Sequence, residues 1–310
     1  MKLRTFLKRL ALTLAFLVLA ALLAVGSAWI YLHPHVDRAD GVVYGERNGR
    51  KLSLDVLKPS KPNGLGLLVM VSGGWQSGQP GSFQSWIAAP LLRRGYTIFA
   101  VYHISQPQAT VMEIFQDVSR GVRFVRLHAK EYRIDPQRLG VTGGSAGGHL
   151  SLLLATRGGP GHNNASDPVD RENSAVQAVA IFYPVTDLLN LGKSTENLGD
   201  GGPPKHFINA FGPNGTNLVI WRNQIGREMS PIYYVHSNLP PTLIYHGDAD
   251  TLVPLDQSER YQAEAQKLGC QVKLVVHHGG RHGWPTMLWD IRQFGAWFDH
   301  YLRTPEATPN

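Results

Sequence analysis

The sequence predicts an α/β fold with a mostly parallel central sheet and helices on both faces. Apolar runs with strand character alternate with segments of helical spacing along most of the 310 residues. A glycine-rich turn joins one such strand directly to an apolar helix within residues 139–155. A chain of this length can bury a large core as a single domain.

The amino-terminal segment precedes this alternation. Residues 10–32 are uncharged and follow four basic residues, and 23 residues are long enough to span a bilayer. Trp29 and Tyr31 at the far end suit an interfacial aromatic belt, which favours an uncleaved anchor. Small residues within 24–28 also permit a cleaved signal peptide, and a buried core helix is the third alternative.

Both an uncleaved anchor and a cleaved signal peptide would lead to export of the remainder of the chain. The basic residues before the apolar stretch stay inside, so a domain over residues 36–310 would face the far side of the membrane. We therefore predict an anchor or signal peptide over residues 1–35 and a periplasmic, extracellular or secreted domain after it.

Charge and cysteine content exclude several classes of function. The net charge is +7, but four of the 30 basic residues precede Leu10, leaving 26 basic against 23 acidic side chains. No basic stripe with interleaved aromatic residues is present, so no nucleic-acid partner is expected. Cys270 is the single cysteine, which excludes an internal disulfide and a multi-cysteine metal site.

The elements follow in a regular order. Alternating apolar residues within 41–57 predict a hairpin, and the continuous run at 65–72 predicts a strand buried on both faces. The remaining pattern predicts helices at 83–92, 110–132, 150–155, 255–268 and 286–302, and strands at 96–102, 139–141, 176–183, 240–245 and 272–276.

Residues 187–234 differ from the rest of the chain. They are rich in Gly, Asn and Pro and show no clean period. A long irregular insertion between two core strands is usually a cap over a site or a surface elaboration, and we favour the cap.

The candidate nucleophile is Ser145, which lies between a predicted strand and helix. Its hydroxyl can stand free only on a sharp turn, and Gly143 and Gly147 provide the clearance of a Gly-x-Ser-x-Gly elbow. A plain glycine turn whose serine caps the helix is the alternative.

A serine hydroxyl needs a base, and the base needs an acid to orient it. Two aspartates, Asp248 and Asp250, follow the predicted strand at 240–245. Three histidines follow the next strand, of which His282 lies in a glycine-flanked loop and is the predicted base, whereas His277 and His278 belong to the strand end.

Catalysis would also need N–H donors for an oxyanion. Ala146, directly after the nucleophile, offers one. Gly73 and Gly74, in the loop after the strand at 65–72, are candidates for the other.

Together these motifs resemble the α/β hydrolases of the esterase/lipase superfamily. The chain is most similar to the carboxylesterases grouped with bifunctional feruloyl and acetyl-xylan esterases and with hormone-sensitive-lipase-like enzymes. The shared motifs occur in the family's order over about residues 41–302: Gly73-Gly74-Trp75, Ser77-Gly78, Asp117, Ile134-Asp135-Pro136, the elbow through His149, Ser230-Pro231, His246-Gly247 through Pro254, Gln257-Ser258 and Gly280 to Gly283.

The resemblance implies which aspartate is the acid. In such enzymes the second aspartate of the His-Gly-x-x-Asp loop is the triad member, which corresponds to Asp250. The chain departs from the family before the tryptophan, where relatives usually carry His-Gly-Gly-Gly. Alignment on Trp75 puts Val71 and Ser72 at the histidine and first glycine. The donors are backbone groups, so Gly73 and Gly74 can still provide them.

We therefore expect an exported serine hydrolase that cleaves small or polymer-linked carboxylic esters with no metal or organic cofactor. Cleavage of an amide or peptide bond, as in acylaminopeptidases or arylformamidases, is the alternative within the fold. Acyl transfer to another hydroxyl, or a non-catalytic binding role, would use the same scaffold.

Overall fold

Eight strands form one sheet in the order β1-β2-β4-β3-β5-β6-β7-β8 in the computed structural model, which describes residues 2–303. The strands are β1 Val36–Arg47, β2 Arg50–Pro59, β3 Gly66–Met70, β4 Thr97–Val101, β5 Leu139–Gly144, β6 Ala178–Phe182, β7 Thr242–Gly247 and β8 Val272–His277. β1 pairs with β2, and β2 with β4, in antiparallel fashion. The other six strands, β3 to β8, run parallel to one another. The α/β-hydrolase fold expected from the sequence is confirmed.

Helices connect the parallel strands and cover both faces of the sheet. They are α1 Lys2–Leu32, α2 Ala89–Leu92, α3 Val111–Leu127, α4 Ala129–Tyr132, α5 Ala146–Arg157, α6 Leu218–Ile220, α7 Gly226–Glu228, α8 Asp256–Lys267 and α9 Met287–Leu302.

Two helices differ from their predicted extent. The segment 83–92 is a 3₁₀ turn, Ser85–Ala88, followed by the single turn of α2. The helix predicted over 110–132 begins with a capping box at Thr110 but divides into α3 and α4 at His128. There the Nδ1–H of His128 donates to the carbonyl of Phe124 at 2.8 Å, a side-chain bond that competes with the regular helical pattern.

The sheet separates two apolar cores. In β4, Phe99 and Val101 face the core beneath α3 and α5, whereas Ile98 and Ala100 face the core beneath α2 and α9. Every residue of β4 is buried. Burial on both faces explains why the sequences of the parallel strands are continuous apolar runs rather than alternating apolar and polar residues.

The insertion at 187–234 consists of short helical turns. Its base is fixed to α8, because the Oε1 atom of Gln257 accepts hydrogen bonds from the backbone of Thr186 at 2.9 Å and of Asp187 at 2.8 Å. Its interior is apolar: Trp221 and Phe211 are buried, with ring centroids 4.8 Å apart. The segment is therefore an ordered part of the domain, despite its irregular sequence.

The first helix, α1, lies outside both cores. Its segment Phe6–Leu32 has a mean hydropathy of 2.5 and length enough to cross a membrane. The last turn is attached to the domain by Arg93, whose Nε donates to the carbonyl of Tyr31 at 2.6 Å and whose Nη2 donates to that of Ile30. The guanidinium thus satisfies carbonyls that the end of a helix leaves unpaired.

Candidate active site

Ser145 occupies a strained turn at the carboxyl end of β5. Its backbone has φ 54° and ψ −121°, a combination that few residues other than glycine adopt. A Cβ on Gly143 would lie 2.6 Å from the backbone of Gly147, and a Cβ on Gly147 would lie 2.4 Å from the carbonyl oxygen of Met70. Both positions therefore need glycine, and the turn presents the serine hydroxyl at the edge of the sheet.

Ser145, His282 and Asp250 form a continuous row of hydrogen bonds. The Oγ of Ser145 lies 2.9 Å from Nε2 of His282, and Nδ1 of His282 lies 2.7 Å from Oδ2 of Asp250. A carboxylate can only accept, so Nδ1 carries the proton and Nε2 is free to accept from the serine hydroxyl. This is the protonation pattern that a general base needs.

Asp250 is held by its own loop. Its Oδ1 accepts hydrogen bonds from the backbone N–H groups of Leu252 and Val253, both at 3.0 Å. Burial by itself would raise the pKa of Asp250, but the neighbouring His246 and the hydrogen bond from His282 outweigh burial, so the pKa lies well below its usual range. The carboxyl group is therefore ionised at neutral pH.

The competing aspartate has a different setting. Asp248 accepts a hydrogen bond from Nδ1 of His278 at 2.8 Å and another from the backbone of Gly279 at 2.7 Å. His278 is exposed, and the hydrogen bond to it lowers the pKa of Asp248. Asp248 thus closes a surface turn, and it makes no hydrogen bond to His282.

The three candidate oxyanion donors are not equivalent. The N–H of Gly73 donates to the carbonyl of Gln76 at 2.9 Å, which occupies it within a tight turn. Within residues 2–303, the N–H groups of Gly74 and Ala146 have no protein acceptor. Both residues line the pocket beside Ser145, and Ala146 begins α5, where N–H groups point out of the helix end. Gly74 is therefore the better-placed donor of the two loop glycines.

His149 connects the loop that carries Gly74 to the insertion. Its Nδ1 accepts from the indole N–H of Trp75 at 3.2 Å, and its Nε2–H donates to the carbonyl of Met229 at 2.6 Å. His149 is fully buried, and this burial lowers its pKa to about 4. The neutral ring thus fixes Trp75 from one side and the insertion from the other.

The pocket above Ser145 has a volume of about 370 Å³ and a largely apolar lining. Leu191, Pro204 and Phe207 of the insertion form part of its wall. The segment predicted as a cap therefore contributes directly to the space in front of Ser145.

Sequence reasoning missed two pocket residues. Tyr183 follows β6, and its ring centroid lies 4.4 Å from that of His282; burial, reinforced by the charge of Asp250, raises its pKa to about 12. Glu196 is a buried carboxylate in the pocket wall that accepts hydrogen bonds from Nδ1 and the backbone N–H of His206, both at 2.9 Å. The position of Tyr183 at the carboxyl end of a parallel strand was the available signal, whereas nothing in the irregular insertion marks Glu196.

Trp284 does not line the pocket. Its indole N–H donates to Asp290 at 2.7 Å, and its ring stacks on His277 with centroids 4.7 Å apart. It packs in the core beneath α9 together with Phe182. Of the two tryptophans that flank the predicted site motifs, only Trp75 contributes to the pocket.

This fold, with a serine on a strained turn after β5 and acid and histidine loops after β7 and β8, defines an α/β hydrolase. Residues 54–265 match the BD-FAE family model. Because the match covers more than half of the chain, the chain belongs to the BD-FAE family.

Curated relatives are named as esterases. The chain is 32% identical over 193 residues to Esterase LipQ of Mycobacterium tuberculosis, covering 59% of this chain and 42% of the relative. It is 26% identical over 246 residues to an acetylxylan esterase of Xylanibacter ruminicola, covering 78% and 44%. The chain spans about half the length of the curated relatives it matches.

Solved structures share the fold. A truncated carbohydrate esterase from gut microbiota superposes with a TM-score of 0.67 at 24% identity, covering 85% of this chain and 96% of the other. The propionate-bound esterase Est2 of Thermogutta terrifontis gives a TM-score of 0.65 at 24% identity, covering 89% and 98%.

Proposed function

We propose that this chain is a serine hydrolase that cleaves carboxylic esters through an acyl-enzyme intermediate. The observation that carries the proposal is the row of hydrogen bonds from Asp250 through His282 to Ser145, which opens onto an apolar pocket. Membership of a family whose curated relatives are named esterases supports the same chemistry.

Acylation uses all three side chains. Oγ of Ser145 attacks the ester carbonyl carbon while Nε2 of His282 takes the hydroxyl proton, and Asp250 stabilises the imidazolium that forms. The carbonyl oxygen becomes an oxyanion, to which the N–H groups of Gly74 and Ala146 donate. Collapse of the tetrahedral intermediate breaks the bond to the alcohol oxygen, which takes the proton from His282 and leaves.

Deacylation repeats these steps with water. His282 takes a proton from a water molecule as that water attacks the acyl-serine carbonyl. The second tetrahedral intermediate breaks the bond to Oγ of Ser145, which regains its proton from His282. The products are a carboxylic acid and the free enzyme, and no cofactor enters the balance.

The preferred acyl group is short. A volume of about 370 Å³ is near the lower end for ligand pockets, and acyl and alcohol parts of the ester must share it. The names of the acetylxylan esterase and of the propionate-bound Est2 structure point to small acyl groups in relatives. We therefore expect acetyl to butyryl esters to be cleaved best.

A series of p-nitrophenyl esters from acetate to long-chain acyl groups tests this function, with Ser145→Ala as the matched control. We expect turnover that falls with chain length and is lost in the variant. p-Nitroacetanilide, the amide counterpart of the acetate, should be cleaved far more slowly. Faster cleavage of the amide would favour amide hydrolysis, and folded protein without Ser145-dependent turnover on any ester would refute the proposal.

We further propose that α1 remains as a membrane anchor and that the domain is exported. The apolar segment Phe6–Leu32 is 27 residues long, and its side chains do not pack into either core of the domain. Lys2 and Arg4 precede it, and Lys8 and Arg9 lie among its first residues, so the domain would lie on the side away from the cytoplasm.

Cell fractionation tests the anchor. The full-length chain should stay in the membrane fraction after an alkaline carbonate wash, and protease added outside the cytoplasmic compartment should digest the domain. A shortened chain in the aqueous fraction, beginning within residues 24–30, would show cleavage instead and contradict the anchor.

A further inference from the structure

The attachment point of α1 and the active site lie at opposite ends of the sheet. In the β-ladder, Val36 at the start of β1 pairs with Pro59, and Leu57 pairs with Ile98 near the start of β4. The anchor therefore joins the domain at the amino ends of the parallel strands. Ser145, Asp250 and His282 follow the carboxyl ends of their strands.

The connection leaves little freedom. Three residues separate Leu32, the last residue of α1, from Val36, and such a connection spans at most about 14 Å. Arg93 restricts the movement of α1 relative to the domain further, because it donates to the last carbonyls of α1 and its guanidinium lies 5.1 Å from the ring centroid of Tyr31. The amino-end surface of the domain must therefore stay beside the bilayer in which α1 is embedded.

Basic side chains are concentrated on this same surface. Four segments at this end of the domain contain seven basic and two acidic side chains: the connections 58–64, 93–96 and 133–138, and the end of α9 with Arg303 at 299–303. We call the seven the basic face: Lys58, Lys61, Arg93, Arg94, Arg133, Arg138 and Arg303. The chain from Leu10 onward has only three more basic than acidic residues, so the domain outside these segments is slightly acidic.

Hydrogen bonds join these segments into one surface. The backbone N–H of Asn63 donates to the carbonyl of Gly95, and the backbone N–H of Asp135 donates to the carbonyl of Gly64, both at 2.8 Å. Arg303 donates to the carbonyl of Arg94 at 3.0 Å. The basic residues thus share one continuous end of the domain rather than being scattered over it.

We propose that the basic face binds the anionic headgroups of the membrane that holds α1, and that the active site consequently points away from this membrane. Anionic lipid attracts clustered Lys and Arg side chains close to a transmembrane helix. Five or six residues of strand separate the two ends of the sheet, about 17–20 Å. The pocket therefore opens toward the aqueous side, and its esters arrive from there rather than from the lipids of the same bilayer. The last conclusion rests on the proposed esterase function, whereas the orientation does not.

Quenching of site-specific probes by the membrane tests the orientation. Full-length protein is reconstituted into vesicles of phosphatidylcholine alone or mixed with phosphatidylglycerol, with a headgroup spin label that quenches fluorescence only at contact. In a Cys270→Ser background, Ser60→Cys carries the probe beside the basic face. Val219→Cys carries it on the insertion, where the side chain is 68% exposed.

We expect the Ser60→Cys probe to lose fluorescence in vesicles with phosphatidylglycerol and the Val219→Cys probe to keep it. High salt should reduce the quenching, since it screens exposed charges. Lys58→Gln/Lys61→Gln should also reduce it. Lys193→Gln/Lys205→Gln, which removes the same charge from the insertion, should leave it unchanged.

Other outcomes overturn the proposal. A quenched Val219→Cys probe, or an unquenched Ser60→Cys probe in anionic vesicles, contradicts the orientation. Equal quenching of the Ser60→Cys probe with and without phosphatidylglycerol contradicts the role of the basic face.

Turnover of a soluble ester by the same vesicles separates the two proposals. Ser145-dependent turnover should match that in detergent, because the bilayer does not cover the pocket. Turnover in detergent that is lost on reconstitution contradicts the outward-facing pocket. Absence of turnover in both preparations refutes the esterase function but leaves the quenching pattern, and therefore the orientation, standing.

Discussion

The two aspartates that follow β7 should respond very differently to the same substitution. Asp250→Asn removes a buried carboxylate that lies 2.7 Å from Nδ1 of His282. Asp248→Asn removes a carboxylate that binds the exposed ring of His278 on the surface. Each variant loses one negative charge from the same loop, so the pair separates a catalytic role from a general electrostatic one.

The magnitude follows from the charge that develops on His282. When the ring takes the serine proton it becomes an imidazolium, with the centre of its charge about 4 Å from the carboxylate. In an effective dielectric of about 20, charges at this distance interact by about 4 kcal/mol. Losing that stabilisation only in the transition state lowers kcat by about a thousandfold.

Asparagine also affects the tautomer of His282. Its amide nitrogen can donate to Nδ1, which would leave the ring proton on Nε2, facing the serine. In a serine protease triad the same substitution lowers kcat by about 10⁴. The amide oxygen can still accept from the backbone of Leu252 and Val253, so the loop should keep its conformation.

The assay is kcat and KM for p-nitrophenyl acetate with both variants and the unmodified chain. We expect Asp250→Asn to lose about 10³ to 10⁴ in kcat with little change in KM. Asp248→Asn should stay within about threefold, because exposed ion pairs contribute little. An Asp250→Asn variant that keeps more than about a tenth of kcat, or a larger loss in Asp248→Asn, would refute the assignment of the acid.

Three further outcomes follow from the site. Gly147→Ala should lower the free energy of unfolding by about 1–3 kcal/mol in urea titrations and abolish turnover, because its Cβ would meet the backbone of Met70 at 2.4 Å; Gly159→Ala, which has open space, is the control and should change neither. Burial holds the pKa of both His103 and His149 at about 4, below about 6.5 in the unfolded chain, so protons bind the unfolded chain first as pH falls. The free energy of unfolding should therefore fall by about 2 kcal/mol per histidine between pH 7 and pH 5, and a flat profile would contradict the buried neutral rings. His149→Leu would leave the buried indole N–H of Trp75 and a buried carbonyl unpaired, costing about 2–6 kcal/mol of unfolding free energy, whereas His149→Gln, which can still donate and accept, should recover part of it.

The parallel strands were predictable because burial on both faces gives continuous apolar runs. The elbow was predictable for a different reason, since a Cβ on Gly143 would meet the backbone of Gly147 and a Cβ on Gly147 would meet that of Met70. The helix predicted over 110–132 was wrong at His128, where a side-chain bond to the carbonyl of Phe124 interrupts the helix. Apolar periodicity does not report such local competition.

The insertion could be recognised but not folded from its sequence. Its structure depends on contacts with distant residues, such as the hydrogen bonds from Thr186 and Asp187 to Gln257. The same holds for Tyr183, which follows β6 and reaches His282, which follows β8, only because β6, β7 and β8 lie side by side in the sheet. Local propensity carries no information on these pairings, so pocket residues in loops were the part of the site that sequence reasoning missed.

The departure from the family's His-Gly-Gly-Gly pattern has a structural counterpart elsewhere in the chain. Ser72, which stands at the first glycine of that pattern, has its Oγ 2.9 Å from Nε2 of His103, a buried residue that follows β4. Nδ1–H of His103 donates to the carbonyl of Ile104 at 2.9 Å, so Nε2 is the acceptor and the serine hydroxyl is the donor. The carbonyl of Ser72 in turn accepts from the N–H of Gly147 at 3.1 Å, which ties the loop to the elbow. A histidine therefore still supports the loop that carries Gly74, but it comes from the neighbouring strand, and a serine makes the connection that glycine could not.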